Sequence, residues 1–159
     1  MIIKLDGWKE DLRFSACHFI PHHEKCGRLH GHSYAVHLEM KGELNEEDVV
    51  VDFSLVKCHL REILNRLDHR IIIPATNRDV DMTIGDVSVE LIWSRKRYVF
   101  PSEDVIILQI SSSSAEMLAA YLATELANRM KEFVNLDSLK LGVDEGPGQG
   151  AWYSLELKE

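Results

Sequence analysis

The chain has 159 residues, 45% of them hydrophobic and 28% charged, the balance of one soluble globular domain long enough to bury a real core. Its net charge of −8 argues against general binding to nucleic acid or to membrane surfaces, since both want basic patches. No apolar run approaches the ~18 residues of a membrane span. The opening MIIKLDGWKEDLRF is no signal peptide, and three cysteines without framework spacing do not make a disulfide scaffold, so a reducing, cytoplasmic setting is expected.

Residues 9–19 alternate well enough to be a strand, and so do residues 32–41. In the second, His32, Tyr34, Val36 and Leu38 fall on one face and Ser33, Ala35, His37 and Glu39 on the other. Asp52-Phe-Ser54 opens a helix to about Leu67, with Val56, Leu60, Ile63, Leu64 and Leu67 at helical spacing, and this helix runs directly into Asp68-His69. Within residues 71–111, Val87–Trp93 and Arg97–Phe100 flank Ser94-Arg-Lys96 as a hairpin, and Val105–Ile110 offers a further strand. Ser113-Ser-Ala-Glu116 fits a capping box, and Leu118, Leu122, Leu126 and Met130 stripe the helix that follows to about Phe133. Leu139–Glu145, a turn over residues 146–150 and Ala151–Leu157 make a final hairpin. The expected architecture is α+β, with a mostly antiparallel sheet covered on one face by helices. With no linker, repeat or low-complexity tract, residues 1–159 read as a single domain carrying an insertion at about 71–111.

Chemistry is concentrated between Phe14 and Tyr34, which hold five of the eight histidines and two of the three cysteines. His30 and His32 are two residues apart and so share one face of a strand, while His18 ends the preceding alternating segment. Paired as antiparallel neighbours, these strands bring three imidazoles to one point. Three histidines with an open fourth position describe a catalytic zinc site rather than a closed structural one. Taken singly, each histidine reads better as a surface or core residue; it is the convergence of three that favours the metal. A closed site of Cys17, Cys26, His30 and His32 is the structural rival, disfavoured because Cys17 and His18 point to opposite faces of a strand. Cys17 and Cys58 read as packing residues, and His22, His23, His37 and His59 as structural or solvent-facing.

Several separated pieces, agreeing in order, resemble the 6-pyruvoyl-tetrahydropterin synthase superfamily, and most closely its 6-carboxy-tetrahydropterin synthase branch. They are Ser15-Ala-Cys-His18, Lys25-Cys-Gly-Arg-Leu-His-Gly-His-Ser33, Val51-Asp-Phe53, Leu67-Asp-His69, Ser114-Ala-Glu-Met-Leu-Ala119 and Val143-Asp-Glu145, followed by Trp152-Tyr153. The cysteine, set off from His-Gly-His by three intervening residues, looks like the carboxy branch. The resemblance implies a T-fold, meaning a four-stranded antiparallel sheet with two helices on one face, here with an inserted hairpin. It also implies trimers stacked into a homohexamer with active sites at subunit interfaces.

By the same resemblance His18, His30 and His32 are zinc ligands and Cys26 is the general base. A free thiol titrates near ~8.5, so Cys26 needs a nearby cation or metal to act as thiolate. Asp68 and His69 look like an acid–base pair; by themselves they read as a solvated acid and a helix C-terminal histidine. Glu145 looks like the pterin anchor, because a carboxylate accepts two parallel bonds from the ring edge. The implied substrate is 7,8-dihydroneopterin triphosphate, with Lys25 and Arg28 as the nearest cations for its phosphates and Lys41, Arg70 and Arg78 as further ones. Glu116 reads as a capping-box residue first and a pocket residue second. The implied reaction yields 6-carboxy-tetrahydropterin, acetaldehyde and triphosphate. The sister reaction keeps all side-chain carbons, and a binding protein that has lost catalysis is the alternative of another class. Two departures stand out: the long segment 71–111, and Ser112-Ser-Ser114 in place of an Asn-Pro-Thr-type entry to the second helix.

Overall fold

A computed structural model of the protein describes residues 1–158. In chain order they form β1 (Ile2–Leu5), β2 (Arg13–His18), β3 (His30–Gly42), α1 (Phe53–Asn65), β4 (Arg70–Pro74), β5 (Asp81–Ile84), β6 (Ser88–Trp93), β7 (Lys96–Pro101), β8 (Val105–Leu108), α2 (Ala115–Arg129), β9 (Leu136–Gly146) and β10 (Gln149–Glu156). The long strand β3 is the axis of the main sheet. β9 runs antiparallel along one edge of it, while β2 and β1 lie end to end along the other.

The expected four-stranded antiparallel sheet is thereby corrected to a mixed sheet, seven-stranded among the described residues, in the order β10-β9-β3-β2-β4-β8 with β1 on β3. β4 pairs parallel with β2, and β8 parallel with β4. Parallel neighbours need a long crossover rather than a tight turn. Helix α1 supplies one crossover, and the segment between β4 and β8 supplies the other. The ends of residues 71–111 therefore belong to the main sheet, and the inserted part is a three-stranded antiparallel sheet, β5-β6-β7, rather than a hairpin.

Both helices cover the face to which Phe14, Tyr34, Val36, Leu38, Leu141 and Val143 point. α1 starts on Asp52, whose carboxylate accepts the Ser54 N–H at 2.7 Å, and buries Val56, Leu60, Ile63 and Leu64. α2 buries Leu118, Ala119, Leu122, Ala123 and Leu126. The helices are tied to each other by Arg66–Glu125 and Arg129–Glu62 ion pairs. Three expected boundaries move inward. α1 stops at Asn65 and α2 at Arg129, and residues 7–11 are a turn rather than part of β2.

The expected capping box is absent. Ser114 is the N-cap of α2 and makes no side-chain cap, whereas Ser113 is fully buried and its hydroxyl donates to the Phe19 carbonyl at 2.7 Å. A serine drawn into the core to satisfy a buried carbonyl is lost to the helix end. Among the described residues, no helix is long and apolar enough to cross a membrane.

Candidate metal centre and its surroundings

Strand register brings the histidines together. β2 and β3 pair with His18 opposite His30 and Ala16 opposite His32, so alternation delivers all three imidazoles to the helix-covered face. His18 is fully buried, and His30 and His32 are partly so. One nitrogen from each lies within 4.8 Å of the other two.

The protonation pattern follows from their partners. His18 Nδ1 lies 2.7 Å from the Ser113 carbonyl and His30 Nδ1 lies 2.7 Å from the Arg28 carbonyl. A carbonyl only accepts, so each Nδ1 carries the proton and each Nε2 presents a lone pair. Those two Nε2 atoms are 3.1 Å apart, and His32 Nε2 is buried without a hydrogen-bond partner among the described residues. Lone pairs facing one another at this distance repel unless a cation lies between them. Tetrahedral ligands with M–N bonds of about 2.0–2.1 Å stand about 3.3 Å apart, so the donor set fits a metal ion of the zinc type. The carbonyls behind His18 and His30 are the outer hydrogen bonds that orient such ligands. Burial lowers the His18 pKa, as do the neighbouring His30 and His32, against the opposing pull of the Ser113 carbonyl and Glu145; the neutral ligand form is favoured.

Glu145 reaches the same place from β9. Alternation sends Val143 and Glu145 to the histidine face and Asp144 to the other. The Glu145 carboxylate lies 3.9 Å from His18 Nε2 and 4.0 Å from His32 Nε2. With Glu116, Ser114 and Ile20 it lines a hollow of about 240 Å³, so Glu116 belongs to a pocket and not to a helix cap. Ala115 and the start of β10, Gln149–Ala151, complete the wall of the pocket.

Asp68 and His69 lie on the other side of β2. Asp68 Oδ1 accepts the Ser15 N–H at 2.7 Å, and the His69 N–H donates to the Ser15 carbonyl at 2.6 Å, so the pair docks on the strand edge as a neighbouring strand would. His69 adopts a left-handed φ of 57°, a costly conformation for a non-glycine residue. His69 Nδ1 is 2.7 Å from Asp68 Oδ2, which fixes the proton on Nδ1 and leaves Nε2 free on an exposed ring. Burial acts to raise the Asp68 carboxyl, but the hydrogen bonds from Ser15 and His69 outweigh it and hold the pKa below the ordinary value. His69 and His32 both line a cavity of about 610 Å³, with Cys17, Ser33 and Arg70.

Cys26 sits half-buried in the loop between β2 and β3. Its N–H donates to His23 Nδ1 at 2.9 Å, a role for His23 that no spacing rule announces. The histidine cluster forms without either cysteine, which removes the closed Cys17–Cys26 site. Lys25 and Arg28 are exposed beside Cys26 and have no ion-pair partner among the described residues. His37 is structural: it accepts the Gly7 N–H on one nitrogen and faces Asp144 with the other, on the far side of the sheet. The structure thus brings Glu145 to the three histidines. It leaves Asp68-His69 and Glu116 on different hollows of the same chain.

The chain and its fold have counterparts among known proteins. A protein of Methanocaldococcus jannaschii that carries the provisional name 6-carboxy-5,6,7,8-tetrahydropterin synthase is 39% identical, over 99% of this chain and 100% of its own length. The 6-carboxy-5,6,7,8-tetrahydropterin synthase of Aquifex aeolicus is 32% identical over 74% of this chain and 66% of its own. Among solved structures, the 6-pyruvoyl tetrahydropterin synthase of Plasmodium falciparum superposes with a TM-score of 0.88 over 98% of each chain at 26% identity. That breadth of likeness extends to the inserted sheet, and the family model for 6-pyruvoyl tetrahydropterin synthase matches residues 8–156. From Trp8 to Glu156, therefore, the chain belongs to the 6-pyruvoyl tetrahydropterin synthase family.

Proposed function

We propose that this protein is a zinc-dependent lyase, a 6-carboxy-5,6,7,8-tetrahydropterin synthase. With one molecule of water, it converts 7,8-dihydroneopterin triphosphate to 6-carboxytetrahydropterin, acetaldehyde and triphosphate, a step toward 7-deazaguanine nucleosides. The observation that carries the reading is the meeting of three imidazole lone pairs in a chain similar over its whole length to a protein of that name. His18, His30 and His32 hold the metal; the chemistry it supplies when bound is Lewis-acid stabilisation of charge on the substrate's side-chain oxygens, together with orientation of the diol.

The chain's own residues do the rest. Cys26 removes the proton from the neighbouring carbon. His69, with its proton fixed on Nδ1 by Asp68, takes up or returns a proton at Nε2. Glu145 accepts hydrogen bonds from the pterin ring, with Glu116 on the wall of the same hollow. Lys25 and Arg28, exposed and unpaired by any described acid, meet the phosphates. The separation of His69 in one hollow from Glu145 and Glu116 in another supports a site completed between copies, in a hexamer built from two trimers. The free edge of β10, with Trp152 and Tyr153 exposed, supports association too. Three free thiols fit a reducing cytoplasm.

A second reading, the pyruvoyl synthase reaction, is favoured by the TM-score of 0.88 to a structure of that name. One assay separates the two: zinc-loaded protein is incubated with 7,8-dihydroneopterin triphosphate, and acetaldehyde, triphosphate and pterin are followed together. Acetaldehyde with 6-carboxytetrahydropterin is expected. Triphosphate with a three-carbon side chain retained on the ring moves the protein to the sister reaction, and binding without turnover overturns both.

A further inference from the structure

The loop from Ile20 to Leu29 carries Cys26 and has bonds of its own, among them His23 N to the Ile20 carbonyl at 3.2 Å and Cys26 N to His23 Nδ1 at 2.9 Å. Ile20 N donates to the Cys26 carbonyl, Gly27 N to the His23 carbonyl and Arg28 N to the Lys25 carbonyl, at 2.7, 2.8 and 3.3 Å. Gly27 is buried, and a Cβ there would stand 2.5 Å from the His23 carbonyl, so the loop closes tightly on itself at this residue.

The inserted sheet grips this loop at both ends and beside the cysteine. Phe19, just before the loop, stacks on Trp93 with ring centroids 3.9 Å apart and planes 5° from parallel; Trp93 stacks in turn on Tyr98. Leu29, at the far end, packs into the same apolar cluster. Between these ends, the Lys96 ammonium donates to the Gly27 carbonyl at 2.7 Å. Lys96 is paired across the hairpin with Trp93 and lies 5.8 Å over its ring. It is half-buried, and none of the described carboxylates pairs with it. A half-hidden ammonium spent on one backbone carbonyl loses hydration for a single directional bond. What that bond fixes is the residue next to Cys26.

We propose that the inserted sheet is a clamp on the loop that carries the general base, with Lys96 as the positioning residue for Cys26. The proposal rests on the reading of Cys26 given above. Its leverage is geometric: a displacement of about 1 Å at a reacting group can cost on the order of 100-fold in rate.

Lys96→Met keeps the aliphatic stem and removes the donor, and Lys96→Arg keeps a donor. In the zinc-loaded protein, Lys96→Met is expected to speed hydrogen exchange at the Cys26, Gly27 and Arg28 amides by about tenfold, the scale of one charge-assisted hydrogen bond. It is expected to lower kcat by at least about tenfold with KM little changed. Metal content stays as in the unchanged protein and Tm falls by only a few degrees, and Lys96→Arg restores both exchange and kcat. Unchanged exchange at those amides overturns the clamp. Faster exchange with unchanged kcat overturns the positioning role. If the unchanged protein turns over no substrate, the functional reading falls on its own. The clamp is then judged by exchange together with the rate of iodoacetamide alkylation at Cys26, and the two variants behaving alike in both overturns it.

Discussion

Two clusters of rings meet on either side of residue 18, and they are built on opposite principles. The imidazoles of His18, His30 and His32 present unshared lone pairs to one another and are held in place by strand register and, for His18 and His30, by two backbone carbonyls. The rings of Phe19, Trp93 and Tyr98 lie flat on one another, filling space and leaving nothing for a ligand. The first arrangement is unfavourable by itself and suits a cation among the three nitrogens; the second is favourable by itself and serves as a mount. Chemistry and rigidity are thus separated by a single peptide bond, between His18 and Phe19.

The comparison can be broken most forcefully at the histidines. His32→Ala is expected to abolish metal binding and cut turnover by more than about 100-fold, since altering outer-shell partners alone costs 10–100-fold. The fold should be retained, because no described group hydrogen-bonds to His32 Nε2. Cys26→Ala should match it in lost turnover while keeping the metal. Metal content measured on both variants separates ligand from base, and loss of metal in Cys26→Ala would remove the proposed base role.

The aromatic mount is expected to fail differently. Trp93→Ala removes a buried ring and should cost about 3–5 kcal/mol of stability, read by urea denaturation, while the histidine cluster still takes up metal at neutral pH. A smaller effect belongs to Ser113, which touches both regions. Its carbonyl orients His18 and its hydroxyl satisfies Phe19, so Ser113→Ala should cost about 1–2 kcal/mol and leave metal affinity nearly intact.

The smallest effect is one of pH. The Asp68 carboxyl is held below its ordinary value by Ser15 and His69, so the folded state binds fewer protons there than the unfolded chain does. The native protein should therefore exceed Asp68→Asn in stability above the unfolded carboxyl pKa of about 3.9. That advantage should vanish as the pH falls through the lower folded value. Denaturation curves of the two proteins from pH 7 to pH 3 test this, and a constant difference across the range contradicts it.

Much of the histidine cluster was legible because strand alternation is local: His30 and His32 share a face in any extended conformation, and β2 ends on His18. The helices were legible for the same reason, through Val56, Leu60 and Ile63 in one and Leu118, Leu122 and Leu126 in the other. Serines 113 and 114 were misread. A capping-box spacing looks the same whether the first hydroxyl faces the helix end or, as with Ser113, a buried carbonyl 94 residues away in the chain. The inserted strands were read only in part, since β4 and β8 carry apolar runs that fit a parallel or an antiparallel neighbour equally well.

By itself the sequence determined which side chains share a face, because a period of two or of 3.6 needs no knowledge of distant partners. Only the tertiary structure decided which strands lie beside each other, that Glu145 approaches the histidines from β9, and that Lys96 reaches across 69 residues to the carbonyl beside Cys26. Those choices depend on contacts whose chain-closure cost is recovered only when the whole core packs, and no local pattern records that sum.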